Sequence, residues 1–315
     1  MTVPSTPPAP VVPATFADFC LVMYVLVDEV WPEIAPHCRR PGPAPACSDP
    51  ELVTMLLIGE TQGWDEETVF VSQWHRHRAL FPHQPERSRL NRRRRQLHGA
   101  LNEVRRRLLG RLDLAYERHC VLDSLPVPVI AWHLVPDGQR TYWESYDARV
   151  GYVASKKQWL FGYKLYLLVT QAGVILDFVL APANVPELQA GVELLEEHAG
   201  LLPLGDKAFV SAPARQRLWD ENRLGLLTLP RHNHRRQPTA AARRLVNGAR
   251  QVIETVNGQL AAQFKVEVNH ATSFWGLTAR LYTKLTAHAA CLFINRQAGV
   301  PDVLQIKALA FPHPN

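Results

Sequence analysis

Three short apolar runs rich in branched and aromatic residues follow one another between residues 120 and 183, and they constrain the fold more than any other feature. CVLDSLPVPVI, WLFGYKLYLLVT and GVILDFVLAPA have the composition of strands. The last two are separated by Gln171-Ala172-Gly173, which reads as a hairpin turn. Beyond them the pattern alternates. ELQAGVELLEEHA reads as an amphipathic helix, LLPLGDKAF as a strand, APARQRLWDEN as a helix, LGLLTLP as a strand and residues 239–265 as a helix. Three strands followed by helix-strand-helix-strand-helix predict a mixed α/β sheet. NHATSFWGLTARLYTKLTAHAACLFINRQAG supplies one more amphipathic helix, expected to pack against the α/β core.

Upstream the chain is helical in pattern. TFADFCLVMYVLVDEVWPEI and ELVTMLLIGETQGW carry apolar residues at helical spacing. Asp49 is placed to cap the second, with Pro50 at its first helical position and Glu51 in its first turn. DEETVFVSQWHRHRALF reads as a further helix that stops near Pro82. PERSRLNRRRRQLHGALNEVRRRLLGRLD reads as one long basic helix, with Leu90, Leu97, Leu101, Val104 and Leu108 along one face and arginines around the rest. The expected organisation is a proline-rich lead over 1–14, a helical module over 15–115, an α/β domain with a C-terminal helix over 116–300, and a tail over 301–315.

The 315 residues are 47% apolar and 20% charged, a soluble globular composition. Apolar runs fall short of the roughly 18 to 20 residues of a membrane span. MTVPSTPPAPVVP lacks the basic region and apolar core of a secretory signal, so a cytoplasmic location and no membrane partner are expected. The five scattered cysteines lack CxxC or Cys-His spacing and read as reduced thiols, mostly in the core.

Charge is strongly segregated. Residues 1–74 hold two arginines against ten acids, whereas residues 75–111 hold twelve arginines against two. A second block at 231–250 has six arginines and no acid. Arginine suits bidentate phosphate contacts, so nucleic acid is the expected partner. Arg87, Arg89, Arg92, Arg93, Arg94 and Arg95 are candidate phosphate contacts, because a duplex tolerates basic residues spread around a helix. Arg235 and Arg236, in RHNHRR, read as a basic loop touching DNA; His232 and His234 lack a second ligand pair for a metal. Trp159 and Trp275 are assigned to core packing in preference to base stacking. No glycine-rich phosphate loop is present, so no nucleotide cofactor is expected.

Three acids in the α/β half have unusual settings. Asp123 interrupts the first strand, Asp206 ends the strand LLPLG, and Glu254 lies on the helix ARQVIETVNGQLAAQF. On that helix Leu245, Ala249, Val252, Ile253, Val256 and Leu260 form an apolar stripe; Glu254 falls away from its centre, beside Arg250 one turn back. Each acid alone fits an ordinary turn or surface ion pair. Together they fit the oxygen ligands of hard divalent cations. Two such ions about 3.5–4 Å apart can activate a nucleophilic oxygen and stabilise a leaving one in phosphoryl transfer.

VLDSLPVPV, ASKKQWLFGYKLYLLVT, LAPANVPEL, LGDKAF and RQVIETVNGQL, in that order, resemble the insertion-sequence DDE transposases, closest to the family numbered 982. The resemblance covers roughly residues 15–300. It implies an RNase H-like mixed sheet with flanking helices, plus an all-helical N-terminal DNA-binding domain. It matches Asp123, Asp206 and Glu254 to the catalytic, metal-holding triad, with two Mg²⁺ per site that Mn²⁺ can replace. Arg250 matches the arginine of R-x3-E, placed to orient Glu254 or meet a phosphate. Lys156, Lys157 and Lys164 are implied backbone contacts. In the related element Y-x2-R-x3-E-x6-K, the tyrosine and lysine positions are Asn247 and Ala261 here, with Lys265 one turn further on. Phe209 and Tyr166 stand where tyrosine and histidine are common.

The expected activity is hydrolysis at the ends of an element, exposing a 3′-OH that attacks target DNA, by a homodimer on double-stranded DNA in a bacterial cytoplasm. Two alternatives remain: an RNase H-like nuclease that cuts without joining, and an inactive DNA-binding regulator derived from a transposase.

Overall fold

The computed structural model describes residues 12–38, 42–114, 117–130, 137–154, 156–228 and 239–311. Five helices come first: α1 (Phe16–Ile34), α2 (Asp49–Thr61), α3 (Glu67–Arg76), α4 (Arg87–Gln96) and α5 (His98–Gly110). Capping boxes start two of them. Thr15 and Asp18 exchange bonds at α1, and Ser48 and Glu51 do so at α2. Ser48, not Asp49, is therefore the cap of α2, and this leaves the Asp49 carboxylate available for another partner.

The expected long basic helix is two helices. Leu97 ends α4 and begins α5 with ψ near zero (φ −89°, ψ 8°). Its side chain is buried, and the break turns α5 so that Ala100, Leu101, Val104 and Leu108 also bury. Each such leucine or valine contributes about 1.5–3 kcal/mol relative to an exposed position.

The sheet contains β1 (His119–Ile130), β2 (Arg149–Val153), β3 (Gln158–Thr170), β4 (Ile175–Pro182), β5 (Leu202–Gly205) and β6 (Leu227–Thr228). β3 pairs antiparallel with β1 along one edge. Along its other edge it pairs first with β2, then with β4. β5 joins β1 in parallel, and β6 joins β5 in parallel. The hairpin at Gln171-Ala172-Gly173 forms as expected, with Gly173 at φ +83°. Helices α6 (Asp137–Glu144), α7 (Glu187–Glu196), α8 (Ala212–Asn222), α9 (Ala240–Ala262) and α10 (Phe274–Gln297) complete the fold. Four strands joined by antiparallel pairing followed by two parallel ones, with flanking helices, make the RNase H-like mixed sheet that the resemblance implies.

β2 and α6 have no counterpart in the sequence reading. β2 is five residues long with a glycine at its centre, so it offers little alternation to detect.

α10 departs from expectation. It is buried almost all the way round from Leu277 to Asn295, and it packs chiefly on α5, α2 and α4 instead of lying on the α/β core. It is the central helix of the N-terminal bundle, which is why it carries no polar face. One apolar core runs through this bundle and on to the α9 face of the sheet. A second core, with Leu122, Tyr166 and Phe209, lies on the opposite face under α7 and α8. Among the described residues no helix is long and apolar enough to cross a membrane.

None of the five cysteines is joined in a disulfide. Cys20, Cys120 and Cys291 are buried, whereas Cys38 and Cys47 are partly exposed.

Candidate active site

Register brings the first two acids together. Val121 of β1 pairs with Leu204 of β5, and both belong to the core on the α9 face. Two residues further along each chain stand Asp123 and Asp206. Alternation keeps Asp123 on that face, and Asp206, one residue past the end of β5, lies close enough for its charge to act on the Asp123 carboxyl. β5 ends at Gly205, so beyond it β1 runs on beside β3 alone. Pro126 and Pro128 fall in that uncovered stretch, where the missing N–H groups break no ladder to a second neighbour.

The turn after β5 is built around Asp206. Its side-chain Oδ1 accepts a 2.7 Å bond from the Ala208 backbone N–H, capping a short 3₁₀ turn over Lys207–Phe209. Phe209 folds back beneath the turn, and a Cβ at Gly205 would come within 2.9 Å of it. Glycine is needed there for steric room, and the aromatic ring holds the carboxylate at the strand end. The Gly-Asp pair is thus both a turn and a rigid mount.

Asp123 is held by two donors. Its Oδ1 accepts from the Ser124 backbone N–H at 2.8 Å, and its Oδ2 accepts from the Asn257 side-chain Nδ2 at 2.7 Å. Burial pushes its carboxyl up to about 6; the nearby negative charges of Asp206 and Glu187 add to the rise, while the two donors oppose it.

Glu254 does not complete a cluster. It is exposed on α9, whose buried stripe is Ile253, Val256 and Leu260. Among the described residues no three His, Cys, Asp or Glu side chains are close enough to hold a metal. Arg250 and Glu254 form no ion pair, so the expected pair one turn apart is absent.

The basic candidates divide. Arg93 and Arg94 are corrected: both are buried. Arg93 is bound to Asp49 and to the Cys38 carbonyl, and Arg94 donates to Asn91 Oδ1. Burial lowers the Arg94 guanidinium to about 10. Arg92 and Arg95 are exposed; Arg87 and Arg89 are exposed beside Glu67 and Glu86.

Lys164 is also corrected, since it is buried and ion-paired with Glu187 at 3.1 Å. Lys156 pairs with Glu267, and Lys265 with Asp65 at 2.6 Å. Lys157 is exposed at the tip of the β2–β3 hairpin in a left-handed conformation (φ 51°). Arg235, Arg236, His232 and His234 lie outside the described residues. Trp159 and Trp275 overturn their core assignment, being 63% and 46% exposed. Trp159 packs on Tyr152 across the hairpin, with ring centroids 5.3 Å apart.

Residues 139–274 match a family model described as a transposase DDE domain. The match spans less than half of the chain. It contains Asp206 and Glu254 and begins after β1, so Asp123 enters the site through the pairing of β1 with β5, not through the match. The DDE domain supports a transposase. No curated protein and no solved structure matches the chain.

Two polar residues at the site escaped the sequence reading. Glu187 starts α7 within electrostatic reach of Asp123. Asn257 stands three residues after Glu254, a spacing that puts both on one side of the helix, and this signal was available in ETVNGQL.

Asp123 and Asp206 fit a hard divalent cation. Two carboxylates on adjacent segments, one of them raised by burial and by the other's charge, are an arrangement that a cation relieves. Glu254 fits as a third ligand only by residue type and helix, not by distance.

Proposed function

We propose that the chain is a DDE transposase, akin to the insertion-sequence family numbered 982, that cuts DNA at element ends and joins them to target DNA. The observation that carries this reading is that Asp123 and Asp206 stand just beyond the paired stretch of β1 and β5, close enough for the charge of Asp206 to act on the Asp123 carboxyl, with Asp206 inside the matched DDE domain. A pair of Mg²⁺ or Mn²⁺ ions held there would supply positive charge against the scissile phosphate and keep the carboxylates ionised.

In this reading the chain's own groups orient that site. Ser124 and Asn257 fix the Asp123 carboxylate, and the Gly205–Phe209 turn fixes Asp206. Glu254 approaches from α9 once DNA is bound, with Arg250 meeting a phosphate. Arg87, Arg89, Arg92, Arg95 and Lys157 supply exposed positive charge for the duplex backbone. Joining two ends calls for at least a homodimer on DNA, in a bacterial cytoplasm.

The test is strand cleavage of a labelled duplex carrying the element's own end, with and without Mg²⁺ or Mn²⁺. Cation-dependent cuts at the boundary, lost in Asp206→Asn and in Glu254→Gln, support the assignment. Binding without cutting under either cation would instead make the chain a DNA-binding regulator. Pre-cut ends offered with a target plasmid separate a transposase, which joins them, from a nuclease, which does not.

A further inference from the structure

The Asn257 amide is the one side chain of α9 that the structure bonds to an acid of the proposed site, among the described residues. The bond spans 134 positions of sequence and fixes a helix to the middle of a strand. Ser124 N–H holds one oxygen of Asp123 and Asn257 holds the other, so the plane of the carboxylate is set from both ends. The Asn257 Oδ1 is buried without a partner among the described residues. Turning the amide would set Oδ1 against the Asp123 carboxylate, so the acid dictates the orientation.

We infer that Asn257 is a positioning residue: it holds the Asp123 carboxylate in its metal-accepting plane and sets the seating of α9, so that Glu254 faces the same end of the sheet. This rests on the transposase reading and extends it. Glu254 lies three residues before Asn257, about 4.5 Å along the helix axis and about 60° around it. The apolar stripe of Ile253, Val256 and Leu260 resists lifting of the helix but tolerates sliding. A single directional bond to the strand fixes its depth and rotation.

The residue type suits the task. A carboxylate in its place would repel Asp123, and a lysine or arginine would neutralise it and compete with a cation. A neutral amide donates one hydrogen bond and leaves the charge of Asp123 available. Glutamine keeps the donor on a longer arm, whereas leucine keeps the volume and removes the donor.

The experiment measures Mn²⁺ retention without DNA, by the spectrum of free Mn²⁺, alongside cleavage kinetics and duplex binding. Asn257→Leu should weaken Mn²⁺ retention about tenfold and lower kcat by a similar factor, with duplex affinity within twofold of wild type. Asn257→Asp should lower kcat at least as far, because it pushes the Asp123 carboxylate out of that plane even where the added oxygen holds Mn²⁺, and Asn257→Gln should recover part of each loss. Unchanged Mn²⁺ retention and kcat in Asn257→Leu would overturn the assignment. So would an equal loss in all three variants that followed a fall in melting temperature, because that marks a packing role only. Wild-type protein that retains Mn²⁺ and loses it in Asn257→Leu, yet never cuts DNA, would uphold the positioning role and defeat the transposase reading instead.

Discussion

Arg93 grips Asp49 through a paired contact, Nε to Oδ1 at 2.8 Å and Nη2 to Oδ2 at 2.5 Å, while its neighbours Arg92 and Arg95 face solvent. Within four consecutive arginines, two belong to the core of the bundle and two to its surface. The helical turn makes this division: positions one apart point about 100° from each other, so an unbroken run must face several ways.

The run therefore separates binding from stability. Arg92→Ala with Arg95→Ala should leave the melting temperature unchanged and reduce the salt slope of duplex binding by about 2. Arg93→Ala should cost about 3 kcal/mol, because it strands Asp49 in a largely buried position. Thermal melts and a salt titration of binding, run on both variants, check the two halves. An undiminished slope in the double variant would remove α4 from the DNA face.

Sequence periodicity located β1, β3, β4 and the alternating half of the domain because their apolar runs are uniform in length and bounded by turns. It also located Asp123 and Asp206, since a charge inside one apolar strand and at the end of another breaks the pattern. It could not show that α10 is a central helix. Small residues such as Ala287, Ala289 and Ala290 read as neutral in a periodicity, whereas in the fold they permit close approach on every side. Nor could it separate Arg93 from Arg92, or Lys164 from Lys157. The difference lies in partners such as Asp49 and Glu187, 44 and 23 residues away. The spacing of Asn257 from Glu254 is legible in ETVNGQL, but its bond to Asp123 is not, for the same reason: that partner is on a strand that pattern alone does not place beside α9.

Lys284 and Glu60 form an ion pair at 2.7 Å with both side chains buried, between α10 and α2. Lys284→Met alone should destabilise the bundle by about 3–5 kcal/mol, since it leaves the Glu60 carboxylate buried without its partner. Adding Glu60→Gln should return much of that loss. Chemical denaturation of the single and double variants measures the coupling; additive losses would mean that the pair contributes nothing as a pair.

Asp123 should cost stability at the pH where it serves chemistry. Its carboxyl titrates near 6 in the folded protein, above the ordinary value of 3.8, chiefly because of burial. The folded state takes up that proton first, so the contribution favours folding at low pH and is lost as pH rises through about 6. Asp123→Asn should raise the melting temperature at pH 8 by at least about 2 °C, by less at pH 5, and abolish cleavage throughout. A lower melting temperature at pH 8 would show that Asp123 is instead held by attractive contacts.

His288 has the opposite sign. It is fully buried on α10, with Nε2 against Gln259 Oε1 at 3.0 Å, and burial lowers it from 6.5 to about 4. Between those values the unfolded chain binds a proton that the folded chain refuses, so stability present above pH 6.5 is lost as pH falls toward 4. The full loss is on the order of 3 kcal/mol. Over much of the same window protonation of Asp123 favours folding, so the two effects offset in the wild-type protein and its melting temperature should vary little from them. Single variants expose each half. His288→Leu should grow more stable relative to its own value at pH 7 as pH drops to 5, and Asp123→Asn should lose stability over that range more steeply than wild type. Asp65 and Asp177, whose carboxyls are held below their ordinary range, lose their contributions only under more acid conditions and leave the window clear. Melting curves for the three proteins at half-unit steps from pH 4.5 to 7.5 decide the matter; parallel profiles would mean that neither group changes its proton affinity on folding within that range.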